Sequence, residues 1–138
     1  MNTTTSTLTL RIVSPESTVL DAEVKSVQVP GEDGLFGVLP RHATMVATTD
    51  SGLLRAVTTN GDTIEYVIHG GFCEVRDNVV TVLSRSAEKA EEIDLERAQK
   101  AAKRAQEIMR SDMAELDLVR AQAALRRAMI REKLARKR

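Results

Sequence analysis

An antiparallel β-sandwich or flattened barrel, followed by a two-helix hairpin, is the fold class this sequence predicts, and three observations predict it. Up to about residue 90, apolar residues alternate with polar ones in short runs broken by Gly, Pro, Asn and Asp, the period-two pattern of half-buried strands. From Asp94 onward there is no Gly or Pro, and the apolar period lengthens to about 3.6, that of an amphipathic helix. Charge divides at the same place. Residues 1–93 carry seven Lys/Arg against thirteen Asp/Glu and residues 94–138 the reverse, so a net charge of zero conceals an acidic body and a basic tail.

The strands follow in order. Leu8, Leu10 and Ile12 alternate with Thr9 and Arg11 between Thr7 and Val13, and Pro15-Glu16 turns the chain. A second run carries Val19 and Leu20; a third places Val27 and Val29 on one face and Gln28 on the other. Pro30 to His42 holds Gly31, Gly34 and Gly37 between two prolines, a shaped loop with at most one short strand. Met45 to Thr49 and Leu53 to Thr58 are strands separated by Asp50-Ser51-Gly52, and Asn60-Gly61 predicts a type I′ hairpin. Ile64, Tyr66 and Ile68 then face one way and Thr63, Glu65 and Val67 the other. Gly70-Gly71 bends or bulges the sheet, Phe72 to Arg76 is a strand, Asp77-Asn78 turns, and Val79 to Leu83 closes a series of eight to ten strands. With no helix between the strands, a parallel sheet is not expected.

Asp94 is placed to cap the first helix by accepting from free N–H groups of its first turn. Leu95, Ala98, Ala102, Ala105 and Met109 form one stripe; Asp112 with Glu115 resembles a capping box; Ala114, Leu118, Ala121, Leu125 and Ala128 form a second stripe. Two Ala-lined helices on a short link make an antiparallel hairpin. An alanine seam buries far less than a leucine seam at about 0.8 kcal/mol per CH₂, so the hairpin should be detachable.

The length of 138 residues suits one core and an appendage: a domain over 1–90 and a helical unit over 91–138. Aromatics at 2% leave the core to Val, Leu, Ile and Ala. The single Cys73, beside Phe72, rules out an intrachain disulfide and a cysteine zinc cage and reads as a buried thiol. With no basic-then-apolar leader and no run near the roughly 20 apolar residues of a membrane span, the expectation is a soluble, cytosolic chain able to sit on a membrane-bound partner.

Enzyme chemistry finds no foothold. There is no Gly-x-Ser-x-Gly elbow and no pair of histidines at metal-ligand spacing, and His69 in a strand reads as structural rather than as a base. The glycines of the 31–37 loop lack the lysine and the strand-to-helix setting of a phosphate loop. Two polar sets remain. Glu32, Asp33, Arg41 and His42 stand on the Gly/Pro frame as a docking surface, or as plain solvated loop residues. Arg97 lies 14 residues before Ser111 and Arg127 lies 16 after it, so at about 1.5 Å per residue they meet at nearly one level. Arg131 is one turn further, and three converging guanidiniums grip a polyphosphate; the alternative is a solvated basic face.

On these residues the sequence resembles the epsilon subunit family of the bacterial F-type ATP synthase. The resemblance runs from about Leu8 to the C-terminus, through Val29-Pro30-Gly31-Glu32-Asp33-Gly34-Leu35-Phe36-Gly37-Val38-Leu39-Pro40-Arg41-His42, Gly70-Gly71-Phe72-Cys73-Glu74-Val75, Val79-Val80-Thr81-Val82-Leu83 and the Ala/Arg-rich helices. It implies a sandwich of about ten strands, then a helical hairpin, in a non-catalytic rotor subunit. Its partners would be the gamma subunit, the ring of c subunits and, with helices extended, the alpha/beta catalytic head. Its place would be peripheral, on the cytoplasmic face of the bacterial membrane, coupling proton or sodium flow to ATP synthesis and inhibiting ATP hydrolysis. No cofactor is required, but the family's nucleotide motif is matched by Ile93-Asp94-Leu95-Glu96-Arg97-Ala98 and by Arg127-Ala128-Met129-Ile130-Arg131, with Glu88 where such proteins carry an acidic residue. The resemblance thus implies a regulatory ATP site at Glu88, Asp94, Arg97, Arg127 and Arg131, and a c-ring contact at Glu32, Asp33, Arg41 and His42. Arg41 replaces a small residue common in the family before the histidine, and Arg136-Lys137-Arg138 is unusually basic. The rival reading is a basic helical module for nucleic acid or anionic lipid, which the interspersed Glu and the alanine seam oppose.

Overall fold

The computed structural model describes residues 7–110 and 115–136, which divide into a first unit ending at Lys89 and a second beginning at Ala90. The first is a nine-stranded sheet: β1 (Leu8–Val13), β2 (Thr18–Gly31), β3 (Gly34–Val38), β4 (Met45–Thr49), β5 (Gly52–Thr58), β6 (Thr63–Ile68), β7 (Gly71–Arg76), β8 (Val79–Leu83) and β9 (Ala87–Lys89). Its order is β1-β8-β7-β4-β2-β5-β6-β9, with β3 on β2 and β1 also paired to β2.

One strand makes this topology possible. The runs around Val19 and Val27, read from sequence as two strands, are a single strand of 14 residues, about 46 Å long at 3.3 Å per residue. Its first half pairs with β1 and its second with β3 and β5, with a register shift between Val24 and Ser26. Because β2 also touches β4 at Gly31–Thr49, the strands β1, β8, β7, β4 and β2 close into a flattened barrel. The expected all-antiparallel pattern has one exception, since β1 and β8 run parallel from Thr9–Val79 to Val13–Leu83. The sheet joins these two strands across most of its chain length, so no short turn dictates their direction.

Turn chemistry departs from expectation at one point. Gly61 has φ +91°, but Asn60 is not in the left-handed region, so Asn60-Gly61 is not a type I′ turn. Gly61 N donates to Thr58 O at 3.0 Å and Thr58 N to Asp62 O at 2.8 Å, closing a three-residue loop in which Gly61 is the bulge. The turn with positive φ at both central residues is Asp77-Asn78, φ 49° and 62°, joining β7 to β8.

Alternation fills the core as composition requires. Leu8, Leu10, Ile12, Val24, Val27, Val29, Leu54, Ile68, Val75, Val80 and Val82 are fully buried, and Tyr66 is the one aromatic among them. Cys73 is buried as expected; burial first, then the neighbouring Glu74 charge, pushes its thiol up to about 11. Phe72, however, takes the opposite face of β7 and is 54% exposed.

The second unit opens with a 3₁₀ turn, Ala90–Glu92, then α1 (Leu95–Arg110) and α2 (Glu115–Arg136), which pack together. Asp94 caps α1: its Oδ1 accepts from Arg97 N at 3.1 Å and its carbonyl from Ala98 N at 3.0 Å. Ala98, Ala102 and Ala105 on α1 and Ala121 and Ala128 on α2 are buried, and Leu134 and Ala135 extend the second stripe beyond its expected end. Ala114 and the Asp112/Glu115 capping pair lie outside the residues whose side chains are described. Among the described residues no helix is long and apolar enough to cross a membrane.

Candidate functional site

The helical unit sets out the arginines through the spacing of its alanines. Ala98 and Ala105 are seven residues apart on α1, as are Ala121 and Ala128 on α2. Two antiparallel helices that bury these pairs against each other bring Ala98 level with Ala128. Arg97, next to Ala98, therefore falls at the level between Arg127 and Arg131, at the end of the hairpin where α1 begins. Arg97 is exposed, whereas Arg127 and Arg131 are half-buried. The 3₁₀ turn also packs on α2. The carboxylate of Asp94 already serves the backbone here, so local helix capping alone accounts for an Asp three residues before the Arg. Glu96–Lys100 at 3.1 Å and Glu132–Arg136 at 2.9 Å are surface pairs one turn apart that support each helix modestly. Glu88, the remaining member of the implied nucleotide set, stands on β9 in the first unit.

The loop residues fall into two pairs rather than one cluster. Glu32 and Asp33 form the two-residue tip between β2 and β3, where Glu32 N donates to Thr48 O at 3.1 Å. Gly31 is obligatory there, because a Cβ would stand 2.8 Å from Gly34 O and 2.9 Å from the Phe36 ring. Arg41 and His42 follow the other end of β3, about 13 Å away over its four residue steps. Arg41 has φ 66°, and its N donates to Asn78 Oδ1 at 2.6 Å, pinning this loop to the β7–β8 turn. His42 Nδ1 donates to Ala43 O at 2.6 Å.

A third surface escaped the reading of the sequence. On the outer face of β4, β7 and β8 stand Val46, Phe72 and Leu83, all exposed, with Phe72 directly opposite Leu83 across the β7–β8 ladder. Apolar side chains adjoining on a solvated sheet face mark a place where something docks. Its signal was available: with Cys73 and Val75 inward, period two sends Phe72 outward. Among the described residues no group of His, Cys, Asp or Glu could hold a metal ion.

A family model described as "ATP synthase, Delta/Epsilon chain, beta-sandwich domain" matches residues 7–90, and one described as "ATP synthase, Delta/Epsilon chain, long alpha-helix domain" matches residues 91–136. The ATP synthase epsilon chain of Symbiobacterium thermophilum is 46% identical over 129 residues, covering 93% of this chain and 92% of that one. The epsilon chain of Nitratidesulfovibrio vulgaris is 44% identical over 124 residues, covering 90% and 92%. Among solved structures, a chain of the Euglena gracilis mitochondrial ATP synthase (OSCP/F1/c-ring) superposes with a TM-score of 0.84 at 27% identity, over 96% of this chain and 83% of that one.

Proposed function

This chain belongs to the ATP synthase delta/epsilon family as a non-catalytic epsilon-type subunit, and from that premise we propose that it is a rotor component of the central stalk, bound to gamma and resting on the c-ring. The observation that carries this reading is the apolar outer face of Val46, Phe72 and Leu83, which offers a rigid sheet surface for a partner. The partner assigned to it is gamma. The Glu32-Asp33 tip and the Arg41-His42 loop contact the ring as two separate points at opposite ends of β3. In this role the chain couples proton or sodium flow to ATP synthesis from the cytoplasmic face of a bacterial membrane, held there by its partners. Pull-down of gamma by the wild-type chain and by Phe72→Glu tests the assignment: capture by the first and not the second supports it. Equal capture removes this face from the interface.

We further propose that the helices regulate ATP hydrolysis by leaving their paired arrangement and extending into the catalytic head. The alanine seam supports this, since each alanine adds only about 0.8 kcal/mol of burial and the helices keep high intrinsic propensity apart or together. Ile108, Val119 and Met129 are exposed on the hairpin and would find cover only against another surface. Locking α1 to α2 by an Ala98→Cys/Ala128→Cys disulfide should abolish inhibition of ATP hydrolysis in the assembled enzyme until the bond is reduced. Inhibition that is equal in the locked and reduced forms would defeat this mechanism. Arg97, Arg127 and Arg131 together form the proposed ATP grip that favours the paired form. A melting temperature unmoved by millimolar ATP would refute that part, since any ligand of the native state must raise it.

A further inference from the structure

We propose that His69 and Glu88 form a proton-operated clamp on β9, the three-residue strand that ends the first unit. His69 directly follows β6 and is 4% exposed, yet neither of its ring nitrogens has a hydrogen-bond partner. Its main chain is firmly held: His69 N donates to Ser84 Oγ at 3.0 Å and to Ser86 O at 3.2 Å, and Ser84 Oγ donates to Ser86 O at 2.7 Å. The segment leading into β9 is thereby tied to the end of β6. On the ladder itself, Glu88 is opposite Val67, so His69, two residues further on, is its diagonal neighbour on the same face. His69 Nε2 lies 3.9 Å from Glu88 Oε1, too far for a hydrogen bond and within reach of an ion pair.

The proton decides which of these the contact becomes. A neutral imidazole carries one N–H and leaves a buried polar ring unpaired, which costs stability. A protonated ring has an N–H at both nitrogens, and a small shift brings Nε2–H onto the Glu88 carboxylate as a charge-assisted bond. The other charged groups on the neighbouring elements are Lys89 on β9, Arg85 in the 84–86 segment, Asp50 before β5, and Glu65 on β6 with Arg55 on β5, which pair with each other at 2.7 Å. Arg85 and Lys89 are exposed, and Asp50 Oδ1 accepts from Ser51 N at 2.8 Å. The direction follows: the neutral ring can offer Nε2–H only as an ordinary donor, whereas the protonated ring makes the bond charge-assisted, so β9 tightens on β6 as pH falls and loosens as it rises. Among the described residues β9 has β6 as its single strand partner, and it is only three residues long, so one added bond is a large change for it.

The test is amide hydrogen exchange of the whole chain between about pH 8 and about pH 5.5, the interval in which histidines as a class change charge, corrected for the chemistry of exchange. Protection of the β9 amides should rise by at least about fivefold on acidification, the gain of a charge-assisted bond over an ordinary one. The rise should vanish in both His69→Asn and Glu88→Gln. Glu88 is only half-buried, so its variant carries the test if the first fails to fold. The same rise in wild type and Glu88→Gln, or imidazole nitrogen shifts unchanged across this interval, would overturn the clamp. The inference rests on residues of the sandwich alone; because Glu88 also belongs to the implied nucleotide set, the exchange is measured without nucleotide, and its failure leaves the nucleotide and gamma assignments standing.

Discussion

Replacing Gly71 by Ala should be among the most damaging single-methyl additions to the sandwich. Its φ of +119° lies where L side chains are strained, at a cost on the order of 1–3 kcal/mol. The added Cβ would stand 1.8 Å from Leu83 O, 2.9 Å from Leu83 C and 3.2 Å from Ser84 Cα. All three are backbone atoms of β8 and its exit, so no rotamer change relieves the clash, and the β7–β8 ladder must part where Phe72 pairs with Leu83. Overpacking of this kind costs about 1–3 kcal/mol more. Together these give about 2–6 kcal/mol, a large share of the roughly 5–15 kcal/mol that holds a small domain folded. Urea denaturation followed by circular dichroism should show the sandwich midpoint fall by about 1–3 M, for a slope of about 2 kcal/mol/M. Gly37→Ala is the internal control: its Cβ would meet nothing within 4 Å and its φ is not positive. It should change stability by no more than about 0.5–1 kcal/mol. If the two substitutions lower the midpoint equally, the close approach of Gly71 to β8 is not what holds this corner.

Phe72→Ala, at a position already half-exposed, should leave the melting temperature nearly unchanged and weaken gamma binding by roughly fivefold to tenfold, since covering half a phenylalanine is worth about 1 kcal/mol; titration calorimetry would read it. Reversing charge at Glu32 and Asp33 should uncouple proton pumping in reconstituted vesicles, and unchanged coupling would remove the β2–β3 tip from the ring contact. The Cys73 thiol should resist maleimide in the folded chain at neutral pH and react on unfolding. Its pKa of about 11 is raised above the unsuppressed 9.0, so below 9 it is protonated in both states and adds no pH dependence. Between 9 and 11 only the unfolded chain loses the proton, so stability should fall there, and fall less in Cys73→Ala. Asp94→Ala removes the acceptor of Arg97 N and should cost the helical unit about 1 kcal/mol, seen as reduced helicity at its melting edge.

The division of the chain was legible without coordinates because it rests on local rules. Periods of two and 3.6, a Gly/Pro-free tail and an Asp before an apolar stripe each act over a few residues, and they located most of the strands, both helices and the Asp94 cap, but not β9, which at three residues is too short for a period to show and lies beyond the Val79–Leu83 run read as the last strand. The aliphatic core, with Tyr66 as its one fully enclosed ring, followed equally from composition and alternation. Tertiary structure decided whatever depends on which strand lies beside which. It fused two short runs into β2, because one strand had to serve β1 on one side and β3 and β5 on the other. It set β1 parallel to β8, residues far apart in sequence that no turn connects. The type I′ geometry went to Asp77-Asn78 and not to Asn60-Gly61, since a turn takes the shape its two strands need at their meeting point. It also parted Glu32 and Asp33 from Arg41 and His42, neighbours along the chain but set at opposite ends of β3. Sequence-local energies select conformations residue by residue; the pairing of distant strands is chosen by the packing of the whole core, and it alone determines which side chains share a surface.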